Sequence, residues 1–137
     1  MTDQIARRDF VAAAGAIGLA AFHPIRWTTL ELEGPMYGLI GKMTTVPGQR
    51  DAMIALLLEG TGGMPGCRSY VIAKDTTDVD RIWITEVWDT KEQHDASLSL
   101  PAVQATIARA KPLIAGFGNG VVTEPVGGHG LTSNGAK

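Results

Sequence analysis

Three histidines, His23, His94 and His129, are the side chains of this 137-residue sequence that titrate near neutral pH and can accept a proton there. Their separations match no metal-ligand spacing, so no metal site is expected from them. His94 stands three residues before Ser97, and residues three apart on a helix share a face, so the two can border one pocket. The plainer role for His94 is a partly exposed helix residue bonded to a neighbour such as Asp95. Glu86 lies in the apolar run from Arg81 to Trp88, where a carboxylate is costly unless it is paired or protonated. It either orients a histidine or a phenolic ligand, or pairs with an arginine such as Arg68. Tyr70 can donate a hydrogen bond to a ligand oxygen, or bury its ring and keep its hydroxyl at a rim. His129, inside Val126-Gly127-Gly128-His129-Gly130, either belongs to a disordered tail or is presented to a ligand by a tail that folds over a pocket. Cys67 is the single cysteine, which excludes a disulfide framework within one chain, and no base stands at motif spacing to activate it.

The elements that must position these groups are legible from pattern. Tyr37 to Thr45 alternates like a strand and ends at the Val46-Pro47-Gly48 turn. Arg50 to Gly60 carries Met53, Leu56, Leu57 and Gly60 at helical spacing, and the glycines from Gly60 to Gly66 end that helix. Arg68 to Ala73 and Arg81 to Trp88 read as strands joined by a polar loop, Lys74 to Asp80. Thr90 and Gln93 form a capping-box pattern that opens a second helical region, which Pro101 interrupts and restarts. Val103, Ile107, Ala110 and Ile114 make its apolar stripe, Gly116 to Gly120 a loop, and Val121 to Glu124 a last strand. The order β-α-β-β-α-β predicts an α+β, ferredoxin-like fold with four antiparallel strands and both helices on one face. Glu86 and Trp88 share a face with Ile82 and Ile84, while Trp83 points the other way and is expected beneath the helices. Trp88 is expected in core or dimer packing. The open face predicts a homodimer, with a cavity between that face and the surrounding elements.

Residues 1–35 read differently. Arg7-Arg8-Asp9-Phe10 is followed by an uncharged stretch from Val11 to Phe22, too short to span a bilayer. The segment resembles a twin-arginine export signal, with Ala6 in place of the usual Ser or Thr and a loose cleavage site at Leu19-Ala20-Ala21. The expectation is export through that route with no stable membrane insertion after signal removal, or a cytoplasmic protein if translation starts at Met36. The domain proper is then 36–124, followed by a flexible Gly-rich tail, 125–137. A net charge of −2 and a pI near 5.9, with no run of Lys or Arg, argue against a nucleic-acid partner.

The run Ile84-Thr85-Glu86-Val87-Trp88-Asp89-Thr90-Lys91-Glu92, followed by Ala96, Leu98 and Pro101-Ala102-Val103, resembles the signature of the antibiotic biosynthesis monooxygenase family. That signature is a Glu-x-Trp at the end of the third strand, a helix, and a proline-led helical segment. Val46-Pro47-Gly48 and Met64-Pro65-Gly66-Cys67 with Tyr70 add to it, so the resemblance runs from Met36 to about Glu124. It implies a dimeric α/β barrel and one of several activities, among them cofactor-independent oxygenation of quinols and heme degradation. The Asn, Trp and His of the heme-degrading branch fall on Lys42, Ser97 and Ile107, and none matches, which disfavours that activity. Many quinol-oxidising relatives carry a histidine where Ser97 stands; here His94 lies one turn earlier. The resemblance therefore implies a monooxygenase that needs no cofactor and acts on a small ionisable aromatic, a quinol or naphthol, with O₂. His94, Tyr70 and Glu86 are the expected catalytic residues; Trp88, Ser97 and His129 are the expected substrate-binding ones. The alternative is a non-catalytic dimer of the same fold that binds or senses a small ligand, which the serine at position 97 favours.

Overall fold

The computed structural model describes residues 34–131. The proposed export segment, Gly34 and Pro35 aside, lies outside the described residues, as do the last six residues of the tail. Strand β1 (Tyr37–Thr45) ends at a turn in which Gly48 has φ +79°, a left-handed conformation that glycine enters without a Cβ penalty. The Gly48 N–H donates to Asp80 Oδ1 at 2.9 Å, tying this turn to the hairpin loop across the sheet. Helix α1 (Arg50–Gly60) follows and buries Met53, Leu56, Leu57 and Gly60, the residues its spacing predicts. Gly60 is where α1 meets the last helix: a Cβ there would stand 1.9 Å from Thr106 Oγ1, so a side chain would push the two apart.

Strands β2 (Cys67–Lys74) and β3 (Arg81–Trp88) form an antiparallel hairpin, and β1 pairs antiparallel with the other edge of β3. The register sets Glu86 between Tyr70 on β2 and Leu39 on β1, and sets Trp88 opposite Tyr37. Helix α2 (Lys91–Ser97) is capped as expected, the Gln93 N–H donating to Thr90 Oγ1 at 3.2 Å. Helix α3 (Pro101–Ala110) opens on proline in its first turn, where no backbone donor is needed. Its end differs from the sequence expectation. Pro112 cannot continue the helix, a 3₁₀ turn spans Lys111–Leu113, and Ile114 starts strand β4 (Ile114–Phe117) instead of extending the helical stripe. Strand β5 (Val121–Thr123) pairs with the same edge of β1 as β4, the two separated by Gly118 to Gly120. The expected last strand is β5, and β4 is an additional strand where the end of the helical stripe and the start of a loop were expected; among the described residues the sheet has five strands in the order β2-β3-β1-β4, with β5 also on β1.

The fold is the ferredoxin-like α+β arrangement, with helices on one face of an antiparallel sheet. Met53, Leu56 and Leu57 of α1 and Ala110 of α3 pack on Ile82 and Ile84 of β3, with Met43, Tyr70 and Ile72 around them. This core shows which face the helices cover, and it corrects the expectation for Trp83. Alternation places Trp83 on the face opposite Ile82 and Ile84, which is the open one. There Lys42 Nζ lies 5.3 Å from its ring and its indole N–H donates to Asp75 Oδ2 at 2.7 Å.

Candidate functional site

A cavity of about 440 Å³ lies between the sheet and helices α1 and α3. It is on the helix-covered face, not on the open face expected from the sequence; at Gly41 an added Cβ would meet nothing within 4 Å, so the missing side chain there leaves space in the interior. Leu39, Met43, Leu57, Ile84, Ile107 and Phe117 give it apolar walls. The ionisable residues at the wall are Tyr70, Glu86 and Lys42, and Lys42 carries its ammonium over Trp83. Two acidic groups of chemical interest therefore remain on the cavity side, a phenol and a carboxylate on adjacent strands in direct register. The volume is in the range of small-ligand sites, and a mostly apolar wall with few polar groups is what such sites present.

Glu86 is two-sided. Strand alternation directs it to the helix face between Ile84 and Trp88, and only about 12% of its side chain is exposed. Trp88 donates its indole N–H to Glu86 Oε2 at 2.8 Å, and His94 Nε2 stands 3.7 Å from the same oxygen. Trp88 and His94 both approach Oε2. Burial raises the Glu86 carboxyl above its ordinary value, with the Trp88 N–H and the neighbouring His94 pulling the other way. The Tyr70 phenol is raised as well, first by burial, then by the negative charge of Glu86 and then by Cys67, so it stays protonated and able to donate. The Cys67 thiol is pushed up mainly by burial and next by Glu86, which keeps it from acting as a thiolate. The pairing with Arg68 weighed for Glu86 is not what forms: Arg68 donates instead to Asp89.

His94 is held from three sides. The Tyr37 ring lies 5.1 Å away, tilted by 48°, the Trp88 ring lies 5.5 Å away edge-on at 82°, and Nδ1 is 3.0 Å from Asp95 Oδ1. The plainer role, a bond to Asp95, is present, but the ring is 15% exposed and its other nitrogen faces Glu86. His94 does not itself line the cavity; it backs the carboxylate that does. Trp88, 1% exposed, is core and joins Glu86 to His94. Ser97 is buried, but its hydroxyl donates to the His94 carbonyl at 2.6 Å within its own helix, so it does not border the cavity with His94. His129 is exposed and is not a cavity residue. The structure thus brings Tyr70, Glu86, Trp88 and His94 together and leaves Ser97 and His129 apart. Tyr37, Leu57, Ile107 and Phe117 are site residues beyond those expected; Tyr37 enters through its register opposite Trp88, a long-range pairing that residue types do not announce.

With this geometry in view, the antibiotic biosynthesis monooxygenase family model matches residues 36–109, and the chain belongs to that family. A crystal structure of a protein from Chloroflexus aurantiacus that carries the family name is 63% identical; it covers 71% of this chain and 99% of that one, with a TM-score of 0.69. A protein from Nitrosomonas europaea with the same family name is 16% identical, with a TM-score of 0.62 over 68% of this chain and 92% of its own. A conserved Bacteroides thetaiotaomicron protein of unknown function is 19% identical, with a TM-score of 0.58 over 66% and 97%. The latter two show a common fold. A search of curated proteins finds no match.

Proposed function

We propose that this chain is a monooxygenase that oxidises a small ionisable aromatic, a quinol or naphthol, with O₂. The observation that carries the reading is Glu86, a desolvated carboxylate at the wall of an apolar cavity, with the Tyr70 phenol beside it. A carboxylate whose proton affinity is raised by burial is a better base than one in water. It takes the phenolic proton of the substrate, and Tyr70 donates a hydrogen bond to the oxygen that becomes negative. Apolar walls hold the ring and admit O₂. The electrons come from the substrate anion, and for a naphthol the balance is one naphthol and one O₂ giving one naphthoquinone and one water. His94 acts from behind Glu86, a change from the direct base expected of it in the sequence. The open sheet face, with Val71 and Val121 exposed on it, is proposed as a homodimer interface, which sedimentation of the purified protein checks directly.

The test is O₂ consumption by the purified protein on addition of a panel of naphthols and hydroquinones. Uptake with quinone formation is expected. A compound that is retained from the panel yet recovered unchanged in air supports the binding-module alternative instead.

A further inference from the structure

We propose that Glu86, His94 and Asp95 form a proton-holding triad at the cavity wall, in which Asp95 positions the imidazole. The proposal rests on the monooxygenase reading for its role in turnover, and on the geometry alone for its existence. The three groups follow one another by contact from the cavity wall to exposed Asp95. Glu86 is at the cavity wall, His94 Nε2 is 3.7 Å from its Oε2, and His94 Nδ1 is 3.0 Å from Asp95 Oδ1. Asp95 is in turn held by Lys91 Nζ at 2.5 Å, one helical turn earlier on α2. The groups packed on His94 from the other elements are Tyr37 on β1 and Trp88 and Glu86 on β3, so carboxylates are its only anionic neighbours among the described residues.

An ionised Asp95 accepts hydrogen bonds and cannot donate, and its contact at 3.0 Å, against 3.7 Å to Glu86, favours the neutral imidazole that carries its proton on Nδ1. Nε2 is then a bare acceptor facing Glu86. Ligand-free sites often show such contacts long, and they shorten when the substrate binds. When the substrate O–H breaks, its proton passes to the Glu86–His94 pair, and an imidazolium formed there is flanked by two carboxylates. The proton is not lost to solvent. It returns to the oxygen that departs as water, whose second hydrogen comes from the oxidised ring carbon, so protons balance over the cycle. Asp95 touches no substrate and is a positioning residue.

The probe is 4-nitrophenol, a small phenol that is not oxidised and whose anion is yellow, added to the full chain at a pH where the free phenol is colourless. The wild-type protein is expected to generate the bound anion. Glu86→Gln should abolish the colour, and Asp95→Asn and His94→Gln should reduce it several-fold, with Asp95→Glu restoring it. No anion in the wild type, or full colour in both Asp95→Asn and His94→Gln, overturns the triad. Nitrogen NMR of the unmodified protein gives a test that needs no variant: neutral His94 should carry its proton on Nδ1, and an Nε2–H tautomer overturns the proposal. In O₂ uptake, Asp95→Asn should lower kcat by about tenfold and leave KM near its wild-type value. Anion formation without O₂ uptake by any aromatic discards the monooxygenase reading and keeps the triad. Uptake unaffected by Asp95→Asn does the reverse.

Discussion

Strand β3 carries two tryptophans, and each donates its indole N–H to a carboxylate, Trp83 to Asp75 at 2.7 Å and Trp88 to Glu86 at 2.8 Å. The bond is the same and the surroundings are opposite. Asp75, in the hairpin loop, also accepts from the Thr77 N–H and the Thr77 hydroxyl, both at 2.8 Å, and from the Asp78 N–H at 3.0 Å. The Thr77 N–H first, and the indole and Thr77 hydroxyl next, hold its carboxyl well below the ordinary value. Among the described residues Glu86 has one firm donor, a histidine at longer range and apolar walls, and burial drives its carboxyl the other way. What sets the proton affinities of the two carboxylates apart is burial at Glu86 and the number of donors at Asp75, not the indole partner they share.

The largest effect that can break this comparison is on turnover. Glu86→Gln keeps the shape and the bond from Trp88 but cannot accept a proton, so kcat for O₂ uptake should fall by about 10²- to 10³-fold. Asp75→Asn, on the other face of the sheet, should leave the rate near wild type. Equal losses in the two variants, measured with the same naphthol, would show that Glu86 acts through the fold and not on the substrate.

The comparison also shows where sequence reasoning reached and where it stopped. The strand from Arg81 to Trp88 and the helix from Arg50 to Gly60 were legible because alternation and helical spacing are local properties. Glu86 stood out for the same reason, as a charge in an apolar run. Which face the helices cover is not local, since it depends on how the crossover from β1 packs back on the sheet, and so the expectation for Trp83 falls on the wrong side. Pro112 was a readable stop signal that the apolar stripe at Ile114 obscured. Asp75 is not legible in the same way, because two of its four donors are backbone N–H groups gathered by a turn, which residue types do not announce. Ser97 and His94 share a helix, yet the serine hydroxyl satisfied itself on its own backbone, the common alternative for a helical serine.

A second pair of substitutions compares the two indoles. Trp88→Phe removes part of a ring that is 1% exposed and takes away the one firm donor to a buried carboxylate. A loss of about 2–3 kcal/mol in unfolding free energy is expected from denaturant titration. Trp83→Phe should cost less, because its ring is only partly buried and Asp75 keeps its bonds from Thr77 and Asp78. A Trp83 variant as damaged as the Trp88 variant would mean that the open face is buried against something, and sedimentation would identify a second copy.

The smallest effect is the most discriminating, because its sign differs between the two carboxylates. Glu86 in the folded chain binds its proton more tightly than its ordinary value of 4.5 allows, so the folded state holds more protons than the unfolded one as pH rises above that value. Its contribution is favourable at low pH and is lost as pH rises through the folded value. Glu86→Gln should therefore raise Tm at neutral pH, with the gain disappearing as pH falls below 4.5. Asp75 is held below its ordinary value of 3.8, so its contribution is present above that value and lost as pH falls toward the folded one. Asp75→Asn should lower Tm at neutral pH, with the loss shrinking in acid. Thermal melts of the two variants and the wild type between neutral and acidic pH should give difference curves of opposite sign that both decay toward zero at low pH. Curves of the same sign would mean that the donors around Asp75 and the apolar walls around Glu86 do not set the two carboxyls apart.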